Sequence, residues 1–268
     1  MNLNKIILVC ALSIVAITAN AQTNDSINNT KIESNQFKEF FTQNMDYQVR
    51  AHFSIGGSAP LGIPEEIRSI DSYNPGLQLG LEANATKWLT DDKQWGVRLG
   101  LRFESKGMTT KATVKNYKTE VIGDGGERVK GYFTGGVKTK VRNTYLTVPV
   151  SAVYKINENW NVYGGLYVSA LIDKTFDGYV YDGYLRQNTP TGEKMLFEGD
   201  NTAPYDFSNE VRKFQWGTQV GAEWKMNKNF FLLGELSYGF NGVLNKDFDA
   251  ISFSMHNIYL NLGFGYQF

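Results

Sequence analysis

The final residues, Asn257 to Phe268, alternate without interruption between an apolar or aromatic set (Ile258, Leu260, Leu262, Phe264, Tyr266, Phe268) and a polar or small set. A period of two marks a β-strand whose two faces meet different surroundings. Seven earlier segments carry the same alternation, with apolar sets Val49 to Ile55, Leu77 to Ala85, Val97 to Phe103, Leu146 to Tyr154, Val162 to Ile172, Phe214 to Trp224 and Leu232 to Phe240. Eight is an even number, which a closed bacterial single-chain barrel requires. The expected fold is all-β: an eight-stranded antiparallel up-and-down transmembrane barrel spanning Tyr47 to Phe268.

The connections alternate in length. Thr90 to Gln94, Asn157 to Asn159 and Asn227 to Asn229 are tight polar turns, whereas Ser58 to Pro75, Lys106 to Arg142, Lys174 to Glu210 and Gly242 to Ser254 are long. Short turns on the periplasmic side and long loops outside are the outer-membrane pattern. Trp88, Trp95, Trp160 and Trp224 flank the short turns, so an indole girdle is expected at that interface, with Trp216 in the outer belt.

Glycines recur on the non-apolar face (Gly80, Gly96, Gly100, Gly165, Gly217, Gly221, Gly239, Gly263, Gly265). They make room inside an eight-stranded barrel, whose interior is only wide enough for side chains, so this face is assigned to the lumen. The same phase places Arg50, His52, Glu82, Arg98, Arg102, Glu104, Glu223 and Glu235 there. An unpaired ion in so confined a space would cost several kcal/mol. These groups are therefore expected to cross-link neighbouring strands by bidentate arginine–carboxylate contacts, with Tyr163, Tyr167 and Tyr259 as further filling. A packed polar core is the expectation; a proton or solute path is the alternative.

The N-terminus reads as a signal peptide over residues 1–21, with Lys5, an apolar run from Ile6 to Ile17, and Thr18-Ala19-Asn20-Ala21 before the expected cleavage at Gln22. Cys10 falls within it, so disulfides and thiol catalysis are not expected after cleavage. Removing Lys5 leaves 26 basic and 27 acidic residues, a net charge of −1 that gives no global field for nucleic acid. Residues 22–46 form a separate periplasmic segment, in which Ile32, Gln36, Phe37, Phe40 and Phe41 fall at the spacing of a short amphipathic helix.

The connection Lys106 to Arg142 keeps strand alternation and turns at Gly123-Asp124-Gly125-Gly126, so a hairpin extending beyond the membrane is expected. It carries nine basic residues, among them Lys106, Lys111, Lys115, Lys118, Arg128 and Lys130, against three acids, a net of +6. The next connection, Asp173 to Arg212, has a net of −4 and interleaves Phe176, Tyr179, Tyr181 and Tyr184 with Asp177, Gly178, Asp182 and Gly183. Two readings stand side by side: the two loops dock on each other, or the basic hairpin meets lipopolysaccharide phosphates or an acidic glycan, with the tyrosines as an adaptable surface for carbohydrate or protein.

Signals for catalysis are sparse. His256 shares the outer end of the last strand with Ser254, Asp247 and Asp249, and no metal spacing or phosphate-cradling glycine motif is present. No enzyme activity, cofactor or metal is expected. The signal peptide, Gly56-Gly57-Ser58-Ala59-Pro60-Leu61, Glu65-Glu66-Ile67-Arg68, Ser72-Tyr73-Asn74-Pro75-Gly76, Leu99-Gly100-Leu101-Arg102, Lys106-Gly107-Met108 and the Phe268 terminus resemble the PorT-like outer-membrane β-barrel proteins. Tyr266 and Phe268, closing an amphipathic strand, resemble the signal read by the barrel assembly machinery. The resemblance implies a cell outer membrane location among lipid, and carries over no catalytic residue. The expected role is a monomeric scaffold displaying its loops to a surface ligand or partner. A small-solute channel and a lipid- or peptide-modifying enzyme are the alternatives.

Overall fold

The computed structural model describes residues 43–123 and 125–268. The expected signal peptide and the helix over Ile32 to Phe41 lie outside those residues. Within Asn44–Phe268 the regular elements are strands, apart from one 3-10 turn at Ser208–Glu210. They are β1 (Met45–Pro60), β2 (Ile67–Asn74), β3 (Gln78–Trp88), β4 (Trp95–Ile122), β5 (Arg128–Lys155), β6 (Trp160–Gln187), β7 (Lys194–Phe197), β8 (Ala203–Asp206), β9 (Phe214–Lys225), β10 (Phe230–Gly239) and β11 (Met255–Gln267).

Eight strands close into a ring, in the order β1, β3, β4, β5, β6, β9, β10, β11 and back to β1, each pair antiparallel. The closing seam joins β1 to β11 from Gln48 opposite Gln267 to Pro60 opposite Met255. Closure satisfies the backbone N–H and C=O groups that a sheet edge would leave bare in hydrocarbon. The outward positions carry the expected apolar sets, with Leu79, Leu99, Val168, Val220 and Phe264 all exposed. Phe268 extends the seam by donating its backbone N–H to the Tyr47 carbonyl at 3.0 Å, and its ring packs edge-on against Tyr266.

A shared local rule builds the three short turns. Asp92, Asn157 and Asn227 each accept, through Oδ1, the backbone N–H two residues on, at 2.9–3.1 Å, and an aromatic residue follows at the third position. Such Asx turns need the short side chain that Asn and Asp supply. In two of the turns the second Asn also ties to a neighbouring strand of the ring, Asn159 Nδ2 to the Lys225 carbonyl at 3.3 Å and Asn229 Nδ2 to the Gln267 carbonyl at 2.9 Å. Trp95, Trp160 and Trp224 stand exposed at this end, as a girdle requires, and Trp216 is exposed at the other. Trp88 departs from the expectation. It is buried, packed with Val153 and Tyr163, and donates its Nε1–H to Asp46 at 2.7 Å. The alternation had placed it correctly, since it shares the inward phase of Gln78, Glu82 and Thr86; proximity to a turn says nothing about which face a residue occupies.

β4, β5 and β6 each run 28 residues, more than twice the ~9–11 that cross a bilayer. Along them the two faces exchange character. On β4 the inward residues change from Arg98, Arg102, Glu104 and Lys106 to Met108, Ala112 and Val114, while the outward ones change from Leu99, Leu101 and Phe103 to Lys111, Thr113 and Lys115. On β5 the outward run Val150, Val148, Leu146 gives way to Arg142 and Lys140, and inward Thr147 and Asn143 to Val141 and Val137. Below the exchange the strands are solvated by lipid outside and by polar groups inside. Above it they are an ordinary sheet in water with an apolar core. β2 pairs with β4 there, and β7 and β8 with β6. The core they enclose contains Phe133, Phe176, Val180, Leu185, Phe207 and Val243.

Val180→Asp would bury an unpaired carboxylate in this core, at a cost of several kcal/mol. The variant is expected to become sensitive to externally added protease between β4 and β6 while the ring keeps its heat-modifiable gel mobility. Protease resistance equal to that of the parent would mean that the upper lobe is not held by this core.

Candidate functional site

The lumen site is built by cross-strand register. Arg50 on β1 lies opposite Glu82 on β3, and Glu82 lies opposite Arg102 on β4, so one carboxylate bridges three strands. Its Oε1 accepts from Arg50 Nη2 at 2.6 Å and its Oε2 from Arg102 Nε at 2.5 Å. Two further carboxylates reach in from the far wall. Glu223 on β9 takes a bidentate contact from Arg98, at 2.5 and 3.0 Å, and Glu235 on β10 takes one from Arg102, at 2.9 Å for both bonds. The bidentate contacts thus span the lumen, whereas those between neighbouring strands are single. The geometry differs from the expected one: Glu82 divides its two oxygens between the arginines of its two neighbouring strands, which leaves each of those contacts single, whereas Glu223 and Glu235 each give both oxygens to one arginine across the lumen.

Neutral groups complete the set. Tyr163 sits between Arg50 and Arg98, each guanidinium 5.1 Å from its ring, and its hydroxyl accepts from Arg50 at 3.0 Å and donates to Glu235 at 3.0 Å. Asn261 donates to Glu235, Asn161 to Glu223 and Thr147 to Glu104. Lys106 belongs here as well. It is buried, lies 3.2 Å from Glu104, and its ammonium faces the rings of Tyr167 and Tyr259. Expected with the basic hairpin, Lys106 instead faces the lumen, in the phase of Glu104 two residues earlier. With Lys106 in place, Arg50, Arg98, Arg102 and Lys106 balance Glu82, Glu104, Glu223 and Glu235. The ionic side chains of this network are 0–3% exposed.

His52 is the eighth of the expected lumen residues and makes the weakest contact, with Nε2 3.8 Å from Glu104 Oε2. It is accommodated by Gly80, where a Cβ would fall on the imidazole ring, as one on Gly265 would fall on the inward ring of Phe231. Gly80, Gly221 and Gly265 are thus sockets for the large inward side chains of His52, Tyr163 and Phe231.

Above the lumen the structure divides the five hairpin cations. Arg128 pairs with Glu120 at 2.7 Å, Lys130 with Asp249 at 2.8 Å, and Lys118 lies 3.8 Å from Asp249. The hydrogen bond from Lys130 and the charge of Lys118 hold the Asp249 carboxyl below its ordinary range. The basic hairpin therefore docks partly on the connection between β10 and β11. Its neighbour, the acidic connection, joins it by strand pairing, β5 to β6, over the whole extension. Lys111, Lys115, Lys140 and Arg142 remain exposed and Lys138 is half-buried; among the described residues none of the five forms an ion pair. Lys111 and Lys138 are direct cross-strand partners.

Tyr179 and Tyr181 form a tilted pair on the outer face of β6, ring centroids 5.8 Å apart, with Lys138 5.2 Å from the Tyr179 ring; Tyr184 lies further along, flanked by Arg186 and Lys194. Tyr163 and Tyr167 share their odd numbering with Tyr179 and Tyr181 and yet face inward. The difference is a bulge: Thr144 and Tyr145 oppose Asp173 and Leu171, leaving Ile172 as the extra residue that resets the phase of β6. The histidine cluster is not assembled. His256 Nδ1 lies 2.9 Å from the Gly239 carbonyl and its ring stacks on Tyr238, and no hydrogen bond links it to Ser254, Asp247 or Asp249 among the described residues.

The family model for the outer membrane protein beta-barrel domain matches residues 20–245. The chain belongs to that family. It is a protein of the cell outer membrane, with the long connections outside and the short turns in the periplasm. Among solved structures it is similar to Ail of Yersinia pestis (12% identity over 84% of this chain and 97% of that one, TM-score 0.32). It is likewise similar to OprG of Pseudomonas aeruginosa (17%, 83% and 95%, TM-score 0.31) and to Neisserial surface protein A (12%, 84% and 98%, TM-score 0.30). No curated protein sequence matches the chain.

Because Arg102 alone contacts both Glu82 and Glu235, Arg102→Met would leave two carboxylates short of a partner. Its midpoint in urea, measured on folded protein in detergent, is expected to correspond to a loss of about 3–5 kcal/mol. Adding Glu235→Gln to that variant should restore part of it. A loss below about 1 kcal/mol, the size of an exposed pair, would show that the network is not desolvated.

Proposed function

We propose that this protein is a non-enzymatic outer-membrane scaffold with an occluded lumen, whose extended sheet binds an anionic surface ligand, most directly the phosphates of lipopolysaccharide. The observation that carries the reading is the column Lys111, Lys138, Lys140 and Arg142 on the outer wall of β4 and β5. Arg142 stands only four residues above the lipid-facing Leu146, at the height of headgroups. Lys111 and Lys138 face each other across the ladder, and like charges so placed repel. An external anion relieves that repulsion, whereas Lys118, Arg128 and Lys130 already have carboxylates of their own. The tyrosine face of β6 continues the same wall and suits sugar rings or a protein partner. The buried charge network speaks against a solute channel, since its ions fill the space that solute would need. The isolated His256 gives a lipid- or peptide-modifying reaction no general base of the expected kind.

Changing Lys111, Lys138, Lys140 and Arg142 together to Gln is expected to weaken binding of purified lipopolysaccharide by more than about tenfold, since a basic residue near an anionic surface contributes about 1 kcal/mol. It should also flatten the salt dependence and leave heat-modifiable mobility unchanged. The triple change of Lys118, Arg128 and Lys130 to Gln should have a much smaller effect on binding. Equal losses from the two variants, or none from the first, would reject the column as the anion site.

A further inference from the structure

The upper lobe contains an apolar cavity that neither the lumen network nor the basic column uses. Its volume is about 300 Å³, at the lower end of the ~300–1,000 Å³ typical of small-molecule sites. Its lining includes Ile67, Ile70, Met108, Val114, Tyr117 and Phe253, and among the described residues that line it none is Asp, Glu, Lys, Arg or His. On β4 the lining begins at Met108, the inward position next above Lys106. The packed ions therefore lie beneath it, in the direction of the periplasm.

The strand pairing gives this cavity a side entrance. Below, β1 is zipped to β3, but that ladder ends at Ser54 opposite Gln78. Above, the place beside β4 passes to β2, which pairs with β4 from Asn74 opposite Thr109 to Ile67 opposite Val114. Among the described residues no ladder joins β2 to β1, although they are consecutive in the chain and Gly56 to Pro60 of β1 line the same cavity. A side-chain bond spans the split, from the Tyr73 hydroxyl to the Gly56 carbonyl at 2.8 Å. Ile70 and Tyr73, both lining residues, are exposed. So are Leu61, Ile63 and Leu77 in the same stretch of chain. These side chains continue the lipid-facing surface of Phe53, Ile55 and Leu79 past the end of the β1–β3 ladder. An apolar surface that leads from the membrane flank to an uncharged cavity through an unpaired seam selects for one kind of occupant.

We propose that this cavity is a binding site for a single aliphatic chain, admitted sideways through the split between β1 and β2, with Tyr73 as its latch. A ligand here has no charged group inside the cavity, because none of the lining could pair one. A headgroup or hydroxyl stays at the mouth beside Tyr73. The same chemistry is offered by an acyl chain of an outer-leaflet lipid and by a free medium-chain amphiphile arriving from the medium, and the experiment separates them.

The full-length protein is placed in phosphatidylcholine nanodiscs and photo-crosslinked in two arms, with the attachment sites mapped by mass spectrometry. In one arm the phospholipid carries a diazirine near the end of an acyl chain; in the other a medium-chain diazirine alcohol is added to unlabelled nanodiscs. Attachment to the inward residues Met108, Tyr117 or Phe253 is expected. Finding it in the first arm assigns the chain to membrane lipid; finding it only in the second assigns it to a free amphiphile. Ala112→Phe, which puts a ring into the cavity, should reduce inward attachment about tenfold, equivalent to two buried methylenes, with heat-modifiable mobility retained. Tyr73→Phe, which removes only the latch, should preserve the fold and raise the rate of inward attachment. The proposal is overturned if labels in both arms are confined to outward residues such as Ile55 and Leu77, or if inward labelling is indifferent to Ala112→Phe.

Discussion

An eight-stranded ring leaves an interior too narrow for a water column and too wide to stay empty, so side chains must fill it. Because alternate residues face lipid, the filling comes from the other half of each strand, and here that half is ionic. Every charge placed there must find its opposite inside the same small volume, since the cost of a desolvated, unpaired ion is several kcal/mol. The structure meets this constraint with four cations and four carboxylates, and with arginine forks that reach across the barrel to Glu223 and Glu235. Glycines at the facing positions, Gly80 and Gly265 among them, give way to His52 and Phe231. The ring, its glycine sockets and its charge balance are one solution to one problem of space.

The same three strands then solve a different problem above the membrane. Once β4, β5 and β6 leave the hydrocarbon, water is outside and the interior can be apolar, so the binary pattern inverts without the backbone changing direction. The change falls at Lys106 to Met108 on β4 and at Asn143 to Val141 on β5. On β6 the bulge at Ile172 accompanies it. The inversion leaves the outer wall basic just above the lipid and encloses an apolar cavity just inside it. The polar outside and apolar inside of the lobe follow from its solvent, and the two proposed binding surfaces follow from the lobe.

Much of this was legible in the amino-acid sequence because period-two alternation is a direct record of which solvent each face meets. The eight ring strands, the short turns and the identities of Arg50, Glu82, Arg98, Arg102, Glu104, Glu223 and Glu235 as lumen residues follow from phase alone. Lys106 and Trp88 obey the same phase and face inward, although loop charge and proximity to a turn point the other way. The inversion was also written in Met108, Ala112 and Val114 set against Lys111 and Lys115, and it needed only an allowance for two solvents along one strand. What phase could not give is register across the lumen: that Arg98 meets Glu223 and Arg102 meets Glu235 depends on strand tilt and stagger. Nor could it give the bulge at Ile172, which turns Tyr179 and Tyr181 outward, or the split between β1 and β2.

Single-molecule conductance in a planar bilayer tests the central claim, that the lumen is closed by a compensated ionic network, most directly. Insertion, verified by antibody or label, is expected without a stable conducting level in either polarity across a wide range of salt. A steady open level from the unaltered protein, scaling with bulk conductivity as a water-filled pore does, would contradict it.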